Sequence, residues 1–492
     1  MNRNHRSVPT FWGEVMLARS RAYLNVEQII DTLSSKGLED ESQTKAFENG
    51  FCDYIGAEQC YATNQARAAL LIALQALNLS PGDEELVPDF TYEGVVDAIL
   101  ESGATPVFVE PALDDFNVPS SHFAEKITKR TKAIIATHLF GIPCDIGNLL
   151  AIAEENCCTI IEDCAQCLGA EYEGKNTGTF GDFAIFSFNY EKHLTTGEGG
   201  MLAVNNPAYI ADVERIIDSC TSMPLYDEKC YVYGMLVQHL ATERAVYKTD
   251  LLAYFGQNCC RGDPEIFSHI DDLIQGCAAW EEIQAALLPH IEREIDKAGY
   301  IPPHMRNPLV RKMLLRAGEA KSKVFRPPIK RIGSGHLLMS APRALVGALG
   351  LKDLQAVNAI RNRNARLFYG MMQDNPAILL PKVSPGKGPA FLKCNVVNQT
   401  SYPLSTVIQR ARDRGYEVGN IQWPRPVHLL PRFQHIALRQ RDAFPVTGYL
   451  AGRIINIPIH SSVTPEDING MATCLEEFCS GDVPGMEMPS RP

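Results

Sequence analysis

The sequence predicts an α/β fold in which a mostly parallel sheet is covered by helices on both faces. Short apolar runs of strand length alternate along the chain with segments whose apolar residues have helical spacing. The runs lie at 85–88, 106–109, 132–137, 158–162, 182–188 and 200–204, and the helical segments at 64–77, 93–102, 120–128 and 146–156. This alternation is typical of doubly covered parallel sheets, which bind ligands at the carboxyl ends of their strands.

Composition narrows the class of protein. With 492 residues, 45% hydrophobic and 21% charged, the chain can bury a large core and form two or more domains. A formal net charge of -12 argues against binding to nucleic acid or to an anionic membrane. No apolar stretch approaches the roughly 20 residues that span a bilayer, and the N-terminus lacks the apolar core of a signal peptide, so we expect a cytoplasmic protein.

The cysteines do not predict disulfides or a metal site. The 15 cysteines are scattered through a long chain, which favours reduced, buried thiols. Cys164 and Cys167 have the spacing of a zinc-binding pair, but no second pair completes the ligand set. We therefore expect no metal.

The segment Phe186–Gly200 carries the chemistry, together with Asp163 and Gln166 at the end of a predicted strand. A lysine amine can link to the aldehyde of pyridoxal 5'-phosphate and later move a proton, which fits Lys192. A carboxylate beside the pyridine nitrogen keeps that nitrogen protonated, which fits Asp163. Gln166 could bind the ring hydroxyl, and Ser187 the phosphate. Each residue alone also fits a structural role, such as a surface lysine or a helix cap.

Taken together and in this order along the chain, these residues resemble the motifs of the DegT/DnrJ/EryC1/StrS family of sugar aminotransferases, which has fold type I of the pyridoxal-phosphate enzymes. The resemblance covers residues 40–206 and continues weakly at 348–354 and 455–467. It implies that Lys192 and Asp163 are catalytic and that Gln166 and Ser187 bind the cofactor. The other cofactor contacts that it implies are Tyr92, which would stack on the ring, and Ala66, Arg67 and Asn189.

The resemblance implies an aminotransferase that converts a keto group of a sugar, nucleotide-linked in our prediction, or of a cyclitol into an amine. An amino acid would be the donor, and the protein would be a homodimer. The alternatives are a dehydratase or other carbon-centred enzyme of natural-product synthesis, and a cofactor-binding regulatory protein. Dehydrating members replace the lysine by histidine, so Lys192 favours transamination, and the intact set of site residues argues against a regulator.

The chain departs from the family pattern at two phosphate contacts. The usual Gly-Thr pair is Ala66-Arg67, so the Arg67 guanidinium could replace a hydroxyl, or it could lie on the surface. An Asn-x-Arg-Met segment that reaches the partner's phosphate aligns with Met339–Pro342, which leaves Arg343 or a basic run at 306–331 as candidate substitutes. His138 could face the substrate or be a structural histidine.

We divide the chain into a large cofactor-binding domain with an N-terminal arm (1–207), a mainly helical insertion (208–335) and a small C-terminal α/β domain (336–492). The basic run 306–331 fits a solvated helix face or a contact with a phosphorylated substrate. The small domain is predicted to open with a long helix at 343–373 and to contain a helix that starts at Thr464–Asp467. We expect the insertion to lie beside the substrate entrance.

Overall fold

The structure, a computed structural model, describes residues 17–35, 38–244, 264–299, 336–419, 425–440 and 443–479. The strands are β1 (Gln59–Thr63), β2 (Glu84–Pro88), β3 (Thr105–Val109), β4 (Thr131–Thr137), β5 (Thr159–Asp163), β6 (Glu171–Tyr172), β7 (Lys175–Asn176), β8 (Phe183–Ser187), β9 (Gly200–Val204), β10 (Thr221–Ser222), β11 (His336–Leu338), β12 (Ile378–Leu379), β13 (Lys387–Gly388), β14 (Cys394–Asn398) and β15 (Ile454–Ile457).

The helices are α1 (Val26–Ser34), α2 (Ser42–Ile55), α3 (Ala66–Ala76), α4 (Glu93–Ser102), α5 (Ser120–Ala124), α6 (Ile146–Glu155), α7 (Ile210–Ile217), α8 (Leu225–Ala241), α9 (Pro264–Gln275), α10 (Trp280–Gly299), α11 (Ala341–Met372), α12 (Leu404–Arg412), α13 (Gln434–Gln440), α14 (Pro445–Ala451) and α15 (Pro465–Cys479).

A nine-stranded sheet of order β10-β11-β1-β9-β8-β5-β4-β2-β3 forms the centre of the large domain. Strands β2, β3, β4, β5 and β8 are parallel to their neighbours in this group, whereas β9 is antiparallel to both β8 and β1. The predicted, mostly parallel sheet is therefore confirmed, and each of the six predicted strands is present with ends that differ by at most one residue.

Helices cover both faces of this sheet because successive strand residues point to opposite sides. On one face, α3, α4 and α7 bury apolar side chains against the strands. On the other face, α2 and α11 cover one half of the sheet, and α5 and α6 cover the other half. Helix α5 ends before the predicted residue 128, where the Thr128 hydroxyl instead donates a hydrogen bond to the Glu84 carboxylate at 2.6 Å.

Three helices of the predicted insertion build a core together with the N-terminal arm. The apolar side chains of α8, α9 and α10 pack against α1, and Val346 of α11 closes this cluster. Helix α7 behaves differently, because its Val213 joins the core under the large sheet. The helices that share this core with α1 therefore begin at α8, whereas the predicted insertion begins at residue 208. The basic run 306–331 lies outside the described residues.

The small domain is built on the three-stranded sheet β12-β14-β15, which packs against α11, α12 and α15. Strand β11 pairs with β1 in the large sheet, so the predicted boundary at 336 falls within the large domain and α11 connects the two parts. Helix α15 starts where predicted: the Asp467 N–H donates to the Thr464 hydroxyl at 3.2 Å. Within the described ranges, none of the helices combines the length and apolarity that a bilayer crossing requires.

Candidate active site

A cavity of about 290 Å³ lies at the carboxyl ends of β5 and β8, next to the N-termini of α3 and α4. It brings together every cofactor-binding residue predicted from the sequence. The lining residues are Gln65, Ala66, Arg67, Leu70, Thr91, Tyr92, Val95, Asp163, Ala165, Gln166, Ile185, Ser187, Asn189, Lys192 and Glu198.

Asp163 ends β5, and Gln166 lies in the turn that follows it; both line the cavity. The Ala165 N–H donates to Asp163 Oδ1 at 3.1 Å, and burial raises the pKa of the Asp163 carboxyl although the nearby Lys192 opposes this shift. A cationic partner in the cavity would therefore stabilise the ionised form of this carboxyl. The Phe140 N–H donates to Gln166 Oε1 at 3.2 Å, which leaves Nε2 as the Gln166 group able to donate to a ligand.

Lys192 lies in the loop after β8, where its N–H donates to the Asn189 carbonyl at 2.9 Å. Burial lowers the pKa of Lys192 to about 8, although the Asp163 carboxylate favours the charged amine. A fraction of the amine is therefore neutral near pH 7, and the neutral form is the nucleophile. The next side chain points elsewhere, since His193 Nε2 donates to the Ala390 carbonyl at 3.0 Å.

The N-terminus of α3 forms one end of the cavity, and Arg67 lies in its first turn. Arg67 Nη2 donates to Gln65 Oε1 at 2.7 Å, and its guanidinium carbon lies 5.8 Å from the centre of the Tyr92 ring. Gly94 makes room for this arrangement, because a Cβ there would lie 2.5 Å from Arg67 Cδ and 2.6 Å from Tyr92 Cε1. Arg67 therefore lies in the cavity and not on the outer surface, beside the helix N-terminus that favours anions.

Sequence analysis missed Glu198, whose carboxyl lines the cavity. Asn189 Nδ2 donates to Glu198 Oε2 at 3.0 Å. Burial raises the pKa of Glu198, while the charge of Arg67 opposes that shift.

The structure does not bring His138 to the cavity. Its ring is fully buried, the Cys144 N–H donates to Nδ1 at 3.0 Å, and Nε2 donates to Glu162 at 2.9 Å. The predicted substrate contact of His138 is therefore not supported, because both ring nitrogens already have protein partners. Ligand atoms of His138, Cys164 and Cys167 lie within 4.8 Å of one another, but a metal there would have to displace these hydrogen bonds.

Arg343 does not fit the predicted role of a substitute phosphate contact with a partner subunit. The side chain is fully buried and pairs with Glu228, with Nε–Oε2 and Nη2–Oε1 distances of 2.5 and 2.6 Å. Its guanidinium is thus committed within the chain.

The sequence model of the DegT/DnrJ/EryC1/StrS aminotransferase family matches residues 22–235 and 316–476. The chain belongs to this family. Residues 236–315 lie outside the match, and they include α9 and α10 of the helical segment.

Curated relatives match part of the chain. GDP-perosamine synthase of Escherichia coli O157:H7 is 39% identical over 193 residues, or 39% of this chain and 51% of that protein. A dTDP-3-amino-3,6-dideoxy-alpha-D-galactopyranose transaminase of Aneurinibacillus thermoaerophilus is 42% identical over 181 residues, or 37% and 50% of the two chains. The chain thus spans about half the length of these relatives.

Solved structures agree over almost the whole chain. An aminotransferase from Psychrobacter cryohalolentis superposes with a TM-score of 0.67 at 21% identity and covers 94% of this chain and 98% of that one. Helicobacter pylori PseC, an aminotransferase involved in the biosynthesis of pseudoaminic acid, superposes with a TM-score of 0.67 at 16% identity and covers 95% and 100%. At these identities the likeness supports the fold alone, and it confirms the predicted fold type I.

Pyridoxal phosphate is the cofactor of this family, and the residues of the cavity fit it. A helix N-terminus with Arg67 suits the phosphate at one end. A buried carboxyl and a lysine of lowered pKa suit the pyridine ring and the aldehyde at the other.

Proposed function

We propose that this protein is a pyridoxal-phosphate-dependent aminotransferase that converts a keto group of a sugar, carried on a nucleotide, or of a cyclitol into an amine. An amino acid is the donor. The observation that carries the proposal is the meeting of Lys192, Asp163 and the α3 N-terminus in one cavity. The names of the two relatives, a GDP-perosamine synthase and a dTDP-linked amino sugar transaminase, support a nucleotide-linked sugar as the acceptor.

The bound cofactor supplies an aldehyde that exchanges amines and a ring that stores the electrons of a broken C–H bond. Lys192 would hold the cofactor through its amine and would move the proton between carbon atoms as general base and acid. Asp163 would keep the pyridine nitrogen protonated, because a cation at contact distance favours the ionised carboxylate that burial disfavours. Gln166 would donate from Nε2 to the ring hydroxyl.

The remaining lining residues hold the cofactor in place. Tyr92 would cover one face of the ring, and Ser187 and Arg67 would donate to the phosphate beside the first turn of α3, where Ala66 would offer only its backbone. Asn189 donates to the Glu198 carboxylate, and the negative charge of Glu198 partly opposes the lowering of the Lys192 pKa by burial. The family resemblance also supports a homodimer.

The test is a half-reaction. Purified protein loaded with the cofactor should absorb in the visible, addition of glutamate or glutamine should abolish that absorbance, and a screen of keto sugars should restore it. Asp163→Asn should lower the rate by on the order of 100-fold, because the charge beside the ring nitrogen is lost. Asp182→Asn is the control, since Asp182 accepts from the Ile160 N–H outside the cavity lining. A wild-type protein that takes up no cofactor would refute the proposal.

A further inference from the structure

A buried ion pair connects α8 and α11 to two loops of the cavity. The Arg343 side chain is fully buried, and Glu228 of α8 binds it in a bidentate manner. The remaining nitrogen, Nη1, donates to the Asn64 carbonyl at 3.1 Å and to the Glu198 carbonyl at 3.0 Å. One guanidinium therefore joins the loop before α3 to the glycine turn after Lys192.

The two carbonyls belong to segments that line the cavity from different sides. Asn64 directly precedes Gln65 and Ala66 at the phosphate end, and Glu198 carries the carboxyl that accepts from Asn189. The separation of these segments determines how the cofactor phosphate and ring can be held at the same time.

Helix α8 is seated directly on the glycine turn. The Tyr231 ring centre lies 4.7 Å from the Arg343 guanidinium carbon. Gly197 has a φ of +83°, and a Cβ there would lie 2.4 Å from the Tyr231 carbonyl oxygen. A side chain at residue 197 would therefore push α8 away from the turn, so the close contact requires glycine.

We propose that Glu228 and Arg343 are positioning residues that hold segments 64–67 and 197–200 at the separation the cofactor requires, and that they thereby set its affinity and orientation. The inference rests on the proposed function. Glu228 is needed because a buried guanidinium without a carboxylate would be strongly unfavourable. Arg343 is needed because its Nη1 group bridges both carbonyls.

The test compares full-length variants. Replacement of a buried ion pair by apolar residues of similar volume is often neutral for stability. Glu228→Met/Arg343→Met should therefore keep the melting temperature of the apo protein, yet raise the dissociation constant of pyridoxal phosphate about tenfold, since two hydrogen bonds from a charged donor are lost. The visible circular dichroism of the bound cofactor should fall, because the ring is held less firmly. Arg343→Lys retains a cation, so its cofactor affinity and its visible circular dichroism should lie between those of the wild type and those of the double variant.

The matched control is Asp115→Met/Lys387→Met, which removes a largely buried pair with an Nζ–Oδ2 distance of 2.8 Å outside the cavity lining. It should leave cofactor affinity and circular dichroism unchanged. Unchanged values in the Glu228/Arg343 double variant would overturn the inference while leaving the proposed function intact, whereas failure of the wild type to load would count against the proposed function. If the double variant does not fold, the cofactor dissociation constant and the visible circular dichroism of Glu228→Gln test the inference in the same way.

Discussion

Two residues of the cavity, Lys192 and Asp163, have pKa values that burial shifts in opposite directions. Burial lowers the pKa of Lys192 to about 8 and raises that of Asp163, because the charged form of each loses hydration. The lysine becomes a better nucleophile, and the aspartate gains a strong preference for a cationic neighbour. One cavity therefore prepares both groups for the same cofactor.

The rate of cofactor attachment to the apo protein should rise with pH and level off above about 8, since only the neutral Lys192 amine attacks the aldehyde. Stopped-flow absorbance over a pH series measures this midpoint. Borohydride reduction followed by peptide mass spectrometry should place the cofactor on Lys192, and Lys192→Ala should bind it without a covalent link. A midpoint near 10.5, the ordinary lysine value, would contradict the effect of burial.

Arg67 and Gly94 should be coupled in cofactor binding. Arg67→Ala should weaken binding by about 1.5–3 kcal/mol, the usual contribution of a hydrogen bond to a charged group. Gly94→Ala would place a methyl group 2.5 Å from Arg67 Cδ, so it should weaken binding more in the wild type than in the Arg67→Ala background. A fluorescence titration of the four proteins completes the double-mutant cycle. Strictly additive effects would show that Gly94 does not act through Arg67, and unchanged binding in Arg67→Ala would show that Arg67 does not contact the phosphate.

At the scale of elements, strand β2 contains a buried acidic residue. Glu85 is fully buried in this strand, and both its carboxylate oxygens lack a hydrogen-bond partner. Burial raises its pKa to about 8 from an ordinary 4.5. The folded state therefore binds this proton more tightly than the unfolded state does, so the associated stability is fully present below pH 4.5 and is lost as pH rises to about 8.

Glu85→Gln should remove this titration. The variant should match the wild type near pH 4.5 but exceed its free energy of unfolding by on the order of 3 kcal/mol at pH 7, as linkage over that interval requires. Denaturant unfolding at several pH values measures the difference. Glu84→Gln serves as the neighbouring control, because Glu84 accepts from the Thr128 hydroxyl and pairs with Arg130, so its loss should not stabilise. Parallel pH curves for wild type and Glu85→Gln would refute the account.

At the scale of the whole molecule, the helical segment has two parts that contact different regions of the protein. Helix α8 contacts the glycine turn and supplies Glu228, whereas α9 and α10 lie outside the family match and cover α1. Helix α8 thus supports the cavity, whereas α9 and α10 pack on the N-terminal arm. We expect the second part to affect the acceptor pocket or the dimer contact.

Replacement of residues 245–332 by a Gly/Ser linker of about 20 residues should preserve the cofactor site. The mean end-to-end distance of such a linker is similar to the length of α8, which is 17 residues or about 25 Å. Visible absorbance should be retained, because the Glu228–Arg343 pair remains, while acceptor turnover or dimerisation should fall. Steady-state kinetics and size-exclusion chromatography are the measurements, and an unaltered dimer with unaltered kinetics would show that α9 and α10 serve neither role.

The sequence by itself determined the local elements and the chemical inventory. Apolar runs and helical spacing depend on neighbours in the chain, so six of the nine strands of the large sheet, together with α3, α4 and α6, could be predicted nearly to the residue. Lys192, Asp163 and Gln166 could be proposed as site residues because their chemistry and order resemble the pattern of one family.

Only the tertiary structure decided which polar groups face the cavity and which have their hydrogen-bond partners within the chain. His138 and Arg343 were candidates for ligand contacts, but each is fully buried and hydrogen-bonded within the chain. Glu198 was overlooked, and it lines the cavity. These outcomes depend on contacts between residues far apart in sequence, such as Arg343 with Glu198 and Asn64, and no local pattern encodes which distant partner satisfies a buried charge.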